Sequence, residues 1–194
     1  MEKYLEETKI IDWKYPTIQA LAKELAEGCK SNIEIAKSCF EWVRDNIKHS
    51  WDYQLNPVTC KASDVLLYKT GYCYAKSHLL GALLRANDIP TGFCYQRIRL
   101  EGKGTPYCLH GLNAVFLPEY GWYRIDARGN KEGVDAQFTP PIEQLAFSTN
   151  DKREANLLEI WPSPLQIVID VLENSSTFIE VYENLPDVEL LQTI

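Results

Sequence analysis

The chain has 194 residues, 45% of them hydrophobic and 24% charged, and carries a net charge of −7. That length suits a single domain over residues 1–194 with an ordinary core that needs no staples. The acid excess excludes a nucleic-acid partner, which requires a basic face, and no apolar run has the length that spans a membrane.

Thr17 precedes an amphipathic run, Ile18 to Ala26, that Gly28 closes, which predicts a first helix. Ser31-Asn32-Ile33-Glu34 has the form of a capping box and opens a second helix through about Ile47, with Ile35, Cys39, Trp42, Val43 and Ile47 directed at a core. A loop containing Pro57 leads to a short helix from Ala62 to Tyr68. Gly71 then turns the chain into a strongly helical run, Cys73 to Ala86, which stops at Asn87-Asp88 ahead of Pro90. From there the pattern changes. Gly92 to Leu100 reads as a strand, Glu101 to Pro106 as a turn, Leu109 to Leu117 as a second strand, Pro118 to Gly121 as a hairpin turn, and Trp122 to Ala127 as a third strand. Pro140 to Phe147, with proline in its first turn, reads as a short helix, and Leu165 to Leu172 and Thr177 to Asn184 as two more, giving a helical extension over about residues 140–194. Helices first and strands later predict an α+β fold, a helical layer packed on an antiparallel sheet.

The chain has six cysteines. The acidic start Met1-Glu2-Lys3-Tyr4-Leu5-Glu6-Glu7 lacks the apolar core of a signal peptide, which points to the cytoplasm and to free thiols. Structural zinc sites draw cysteines from C-x₂₋₄-C spacings; the tightest pair here is Cys29 and Cys39, so no metal and no cofactor is expected. Cys29, Cys39 and Cys94 read as buried small hydrophobes, while Cys60 and Cys108 lie near loops and read as exposed. His78 reads as helix packing and His49, beside Trp51, as loop surface.

Cys73 differs from the others. A helix N-terminus presents unpaired N–H groups and the positive end of the dipole, both of which favour thiolate over thiol. His110, in Leu109-His110-Gly111-Leu112-Asn113, and Asp126, in Gly121-Trp122-Tyr123-Arg124-Ile125-Asp126, follow on neighbouring strands. An imidazole facing Cys73 forms a thiolate–imidazolium pair, and a carboxylate on the far ring nitrogen fixes the tautomer.

These three ordered segments, with Leu83-Leu84-Arg85-Ala86-Asn87-Asp88-Ile89-Pro90 after the first, resemble the core of the transglutaminase-like superfamily of papain-related thiol enzymes. The likeness runs from about Trp42 to Arg128, with a weaker continuation in Pro140 to Phe147. It implies a papain-like fold, with Cys73 as nucleophile, His110 as base and then acid, Asp126 as orienter, and Trp51 as an oxyanion donor beside the backbone N–H of Cys73. Several family features are missing: a calcium-site sequence, flanking β-sandwich domains, and the paired CxxC motifs of peptide:N-glycanases. The gap from Cys73 to His110 is also far shorter than the ~130–150 residues of papain-type proteases. The implied chemistry is acyl transfer on the amide of a peptide or protein through a thioester, in the manner of a cysteine peptidase or amidase. The alternatives are a protein-glutamine transglutaminase, acyl transfer from a small thioester donor as in arylamine acetyltransferases, and a silent binding module. The segment Val181 to Ile194 alternates acidic and apolar residues and reads as a cover for the cleft or for a partner.

Overall fold

The structure is a computed structural model that describes residues 1–100, 107–150 and 152–188. Helices α1 (Pro16–Ala26) and α2 (Asn32–Asn46) come first, followed by the two-residue strand β1 (Lys48–His49), the single turn α3 (Ser50–Tyr53), α4 (Ala62–Tyr68), β2 (Thr70–Gly71) and the long helix α5 (Cys73–Ala86). Strands β3 (Thr91–Arg99), β4 (Tyr107–Leu117) and β5 (Gly121–Ile125) form an antiparallel meander. The short β6 (Ala155–Asn156) completes a sheet of order β5-β4-β3-β6, and α6 (Gln166–Asn174) and α7 (Phe178–Glu183) follow. The fold is α+β, with the helices laid on a curled antiparallel sheet.

Helix α5 is the axle of the molecule. Every residue from Cys73 to Arg85 is buried, as expected of a helix that packs on all sides. It lies against α1, α2 and α4 on one side and β3 and β4 on the other. Gly81 admits the ring of Phe93, which a Cβ would meet at 3.0 Å. Two charged residues on α5 serve as ties. Arg85 donates to the carbonyls of Thr91, Glu6 and Pro162, while Lys76 caps the end of α2 through the carbonyls of Arg44 and Ile47. Those carbonyls lack partners within their own helix, so Lys76 locks α2 to the helix that carries Cys73.

The capping box at Ser31 forms with a shift. Ser31 accepts from the Glu34 N–H at 3.3 Å, and the Glu34 carboxylate takes the N–H of Lys30, one residue ahead of the usual partner. Strands β1 and β2 pair in parallel, His49 opposite Gly71, which brings the end of α2 beside the start of α5.

Residues 140–147 are not helical, contrary to the sequence expectation. Gln137 and Gln144 form an antiparallel bridge, the Tyr123 hydroxyl donates to the Ile142 carbonyl at 3.0 Å, and each proline bars the residue before it from helical geometry. Helix in the C-terminal part therefore begins at Gln166. The turn expected over Glu101–Pro106 and the last residues, 189–194, lie outside the described residues. Among the described residues, no helix is long and apolar enough to cross a membrane.

Candidate active site

Cys73 is the first residue of α5, and two glycines let it sit where it does. At Gly71 a Cβ would come within 2.9 Å of Ala75 Cβ and 3.1 Å of Thr59 Oγ1, so the chain turns into the helix with no room for a side chain. At Gly111, in the middle of β4, a Cβ would meet Tyr74 Cδ1 at 2.8 Å and Tyr74 Cα at 3.3 Å. The helix start thus rides directly on the strand. The Gly111 N–H donates to Cys73 Sγ at 3.5 Å, and the Tyr74 hydroxyl donates to the Leu109 carbonyl. Cys73 is 8% exposed.

Between those two contacts on β4 lies His110. Its Nε2 is 2.7 Å from Asp126 Oδ2, so Nδ1 is the ring nitrogen left for the Cys73 thiol. Both His110 and Asp126 are buried. Asp126 also accepts from the backbone N–H of Ala146 at 3.0 Å and of Arg128 at 3.1 Å. Burial works to strip the proton from His110, but the Asp126 charge beside it, and Cys73 after that, prevail and hold the imidazole up to about 10. Burial would raise the Asp126 carboxyl, but His110 and the two backbone donors keep it below its ordinary value. The Phe147 ring stands edge-on against His110, with centroids 4.9 Å apart.

With Asp126 buried behind the imidazole, Cys73 and His110 line a cavity of about 340 Å³. Its apolar wall includes Tyr74, Ile98, Leu109 and Phe147, and its polar wall includes His49, Arg128 and Lys131. No carboxylate lines it among the described residues. Behind that polar wall Asp52 binds Arg128 through both oxygens, at 2.6 and 3.0 Å, and Lys131 at 2.7 Å. Burial favours the acid form of Asp52, but these two cations override it and bring the carboxyl to about 2.

Trp51, on α3, reaches the cavity wall and stacks on Tyr182 at 3.7 Å with a tilt of 10°. It is 36% exposed at the mouth. His49 departs from its expected surface position. It is buried, lines the cavity and packs edge-on against Tyr72, with Nδ1 3.6 Å from Asp52 Oδ2 and making no hydrogen bond. Burial and the Arg128 charge hold it well below the ordinary histidine value, so it is neutral. Cys60 and Cys108 are likewise buried rather than exposed, while Cys29, expected to be buried, is partly open. All six cysteines are free thiols, and His78 is packed inside α5 against the Cys60 carbonyl as its helix position suggested. Sequence reasoning missed His49, Asp52 and Arg128. The one local signal was that Arg128 follows Asp126 by two residues, the spacing at which a backbone N–H can return to a carboxylate. Among the described residues, no group of three or more His, Cys, Asp or Glu side chains is gathered in a way that could hold a metal ion.

A family model of the transglutaminase-like superfamily matches residues 19–127. No curated protein matches the chain. Among solved structures, a provisional cysteine protease from Cytophaga hutchinsonii superposes with a TM-score of 0.51 at 21% identity, covering 64% of this chain and 40% of that one. The periplasmic domain of TgpA from Pseudomonas aeruginosa gives 0.47 at 20% identity, covering 64% and 45%. The likeness to the first is one of fold, and this chain spans less than half the length of either solved chain.

Proposed function

The chain belongs to the transglutaminase-like superfamily, and from that premise we propose that it is a thiol-dependent amidase or peptidase acting on a peptide or protein amide. One observation carries the reading: Cys73, at the start of α5, and His110 line the same cavity of about 340 Å³, and His110 is joined at 2.7 Å to the buried Asp126 behind it. In this reading the Cys73 thiolate attacks the amide carbonyl, and the tetrahedral oxyanion is received by the Cys73 N–H at the start of α5 and by the indole N–H of Trp51. The His110 imidazolium gives its proton to the departing amine, and a thioester to Cys73 remains. Neutral His110 then takes a proton from water as the water attacks, the C–S bond breaks, and the carboxylic acid leaves with the thiolate–imidazolium pair regenerated. Asp126 holds the ring orientation through both steps.

Water is favoured over an amine as the second substrate by the charge of the cavity. A protonated lysine would face Arg128 and Lys131 with no lining carboxylate among the described residues to receive it. The free thiols accord with a cytoplasmic setting, and the central position of α5, packed on by helices and sheet alike, accords with one domain. The test is acyl-enzyme trapping with an activated ester and a fluorogenic peptide library, followed by mass spectrometry in the presence of a primary amine. An acyl adduct on Cys73 that resolves to acid supports hydrolysis, and one that resolves to amide reassigns the protein as a transglutaminase. If Cys73 alkylates readily yet takes no acyl group from any ester or amide, the enzyme reading fails and the binding-module alternative replaces it.

A further inference from the structure

The edge of β4 that carries the site is only partly used by the sheet. Strand β5 pairs with β4 from Asn113 to Leu117 and no further. Toward the N-terminal end of β4 the outward-facing N–H groups include those of Leu109 and Gly111, about 7 Å apart along a strand. Gly111 points its N–H at Cys73 Sγ, while Leu109 donates to the carbonyl of Pro186 at 2.7 Å. The chain's own C-terminal segment thus takes the main-chain position next to the nucleophile. Leu185, in the same segment, is part of the cavity wall.

This segment is held unevenly. Helix α7 is fixed at its start, where Phe178 accepts from the Tyr72 hydroxyl at 2.6 Å and donates to Asn56 Oδ1 at 2.9 Å, and in its middle by the fully buried Val181. Beyond α7 Leu185 and Val188 pack against the core, Pro186 is buried, and Asp187 pairs with Arg97 at 2.6 and 2.7 Å, the Asp187 side chain being 33% and the Arg97 side chain 13% exposed. A partly exposed pair of this kind contributes about fivefold, on the order of 1 kcal/mol, little enough for a competing ligand to offset. An extended polypeptide that paired one carbonyl with the Leu109 N–H would carry the carbonyl two residues along to the Gly111 N–H and the thiol, by the two-residue repeat of a strand.

We propose that residues 184–188 are an intramolecular pseudosubstrate on the open edge of β4, and that the acyl donor is an extended polypeptide that displaces them and binds there main chain to main chain. The nature of the occupant rests on the acyl-transfer reading, whereas displacement of the segment can be measured without turnover.

The experiment uses the full chain and compares Cys73 alkylation by iodoacetamide with alkylation by a bulky maleimide, read by mass spectrometry, in the wild type and Asp187→Lys. Reversing the charge opposite Arg97 should raise the maleimide rate about fivefold, the scale of one exposed ion pair, and leave the iodoacetamide rate unchanged. In the wild type, hydrogen exchange should find the Leu109 amide roughly a hundredfold faster than Val115 within the β4–β5 ladder, as for a locally opening segment. A free peptide copying residues 178–188 should slow the maleimide reaction of Asp187→Lys back toward the wild-type rate. Equal protection of Leu109 and Val115, or an unchanged ratio of the two alkylation rates in a folded variant, overturns the displacement. A peptide without effect on the opened variant overturns polypeptide docking. Failure of Cys73 to react with iodoacetamide at all would sink the enzyme reading instead, and Leu109 exchange would still decide the strap.

Discussion

Replacing Asp126 by Asn removes one buried charge and keeps the shape of the side chain. His110 is held near 10 against an ordinary 6.5, which at about 1.4 kcal/mol per pH unit is roughly 5 kcal/mol in favour of the imidazolium. Asp126 is the largest of the contributions that raise it, ahead of Cys73. Without that charge burial prevails, the ring turns neutral at pH 7, and the thiol loses its cationic partner. Breaking a buried pair by removing one member typically costs about 3–5 kcal/mol; because Ala146 and Arg128 donate to different oxygens of Asp126 and Asn has only one, a backbone donor is stranded as well, and the upper end, about 5 kcal/mol, is expected here. The pH dependence follows from the two directions. His110 lies above its unfolded value, so its contribution is complete below 6.5 and is lost as pH rises through about 10. Asp126 lies below 3.8, so its contribution is present above that value and is lost as pH falls through the folded one. The difference in stability between wild type and Asp126→Asn should therefore be greatest from about pH 4 to 6.5 and shrink toward pH 10. Urea melts at pH 5.5 and pH 9 measure it. Iodoacetamide alkylation of Cys73 at pH 6 should fall at least about tenfold in the same variant, and turnover by about 10⁴, the scale seen when a triad loses its orienting carboxylate. A folded Asn variant that alkylates at the wild-type rate at pH 6, with a stability difference independent of pH, would refute the reasoning.

Gly111→Ala places a Cβ within 2.8 Å of the Tyr74 ring, so α5 must lift from β4; a loss of about 1–3 kcal/mol in denaturant melts and slower Cys73 alkylation are expected. Trp51→Phe keeps an aromatic ring against Tyr182 but removes the indole N–H; kcat should drop about 10²-fold with KM little changed, and a neutral result would reduce Trp51 to a wall. Lys76→Met strands the Arg44 and Ile47 carbonyls and should cost about 1–3 kcal/mol near pH 9. Burial, with the Arg128 charge behind it, brings Lys76 down to about 7 from 10.5, so between those values the unfolded chain binds the extra proton and Lys76 adds stability as pH rises. The wild-type advantage over Lys76→Met should thus grow from pH 7 to pH 10, and melts in which it shrinks would contradict that sign.

The helices and strands that fix the site were legible because their signals are local. Ser31 and Glu34 mark one helix start, and the apolar run after Cys73 and the hairpin at Gly121 mark the rest. The environment of His49 was not legible. Its burial depends on pairing with Gly71 across a two-residue strand, too short to carry a periodic pattern, and on Tyr72 arriving beside it. The Pro140 segment misled for a related reason. A proline at a first helical turn is a sound local signal, but here the stretch leads to Ala146, whose N–H is required by Asp126. Asp52 carried no motif at all, because its partners Arg128 and Lys131 lie in a distant loop.

The sheet described above is also a problem in solubility, since any uncovered strand edge can recruit another chain. On the β3 side the edge is sealed by β6 and by the Phe93–Trp161 bridge, packed so closely that a Cβ at Gly92 would fall 2.4 Å from Ile160. On the β5 side the Arg124 N–H is taken by the Glu143 carboxylate at 3.2 Å. The stretch of β4 beside Cys73 is covered by the main-chain bond from Leu109 to Pro186. In the reading proposed above, the edge that admits a foreign polypeptide is also the edge most open to self-association, and the segment over Leu109 covers it against both.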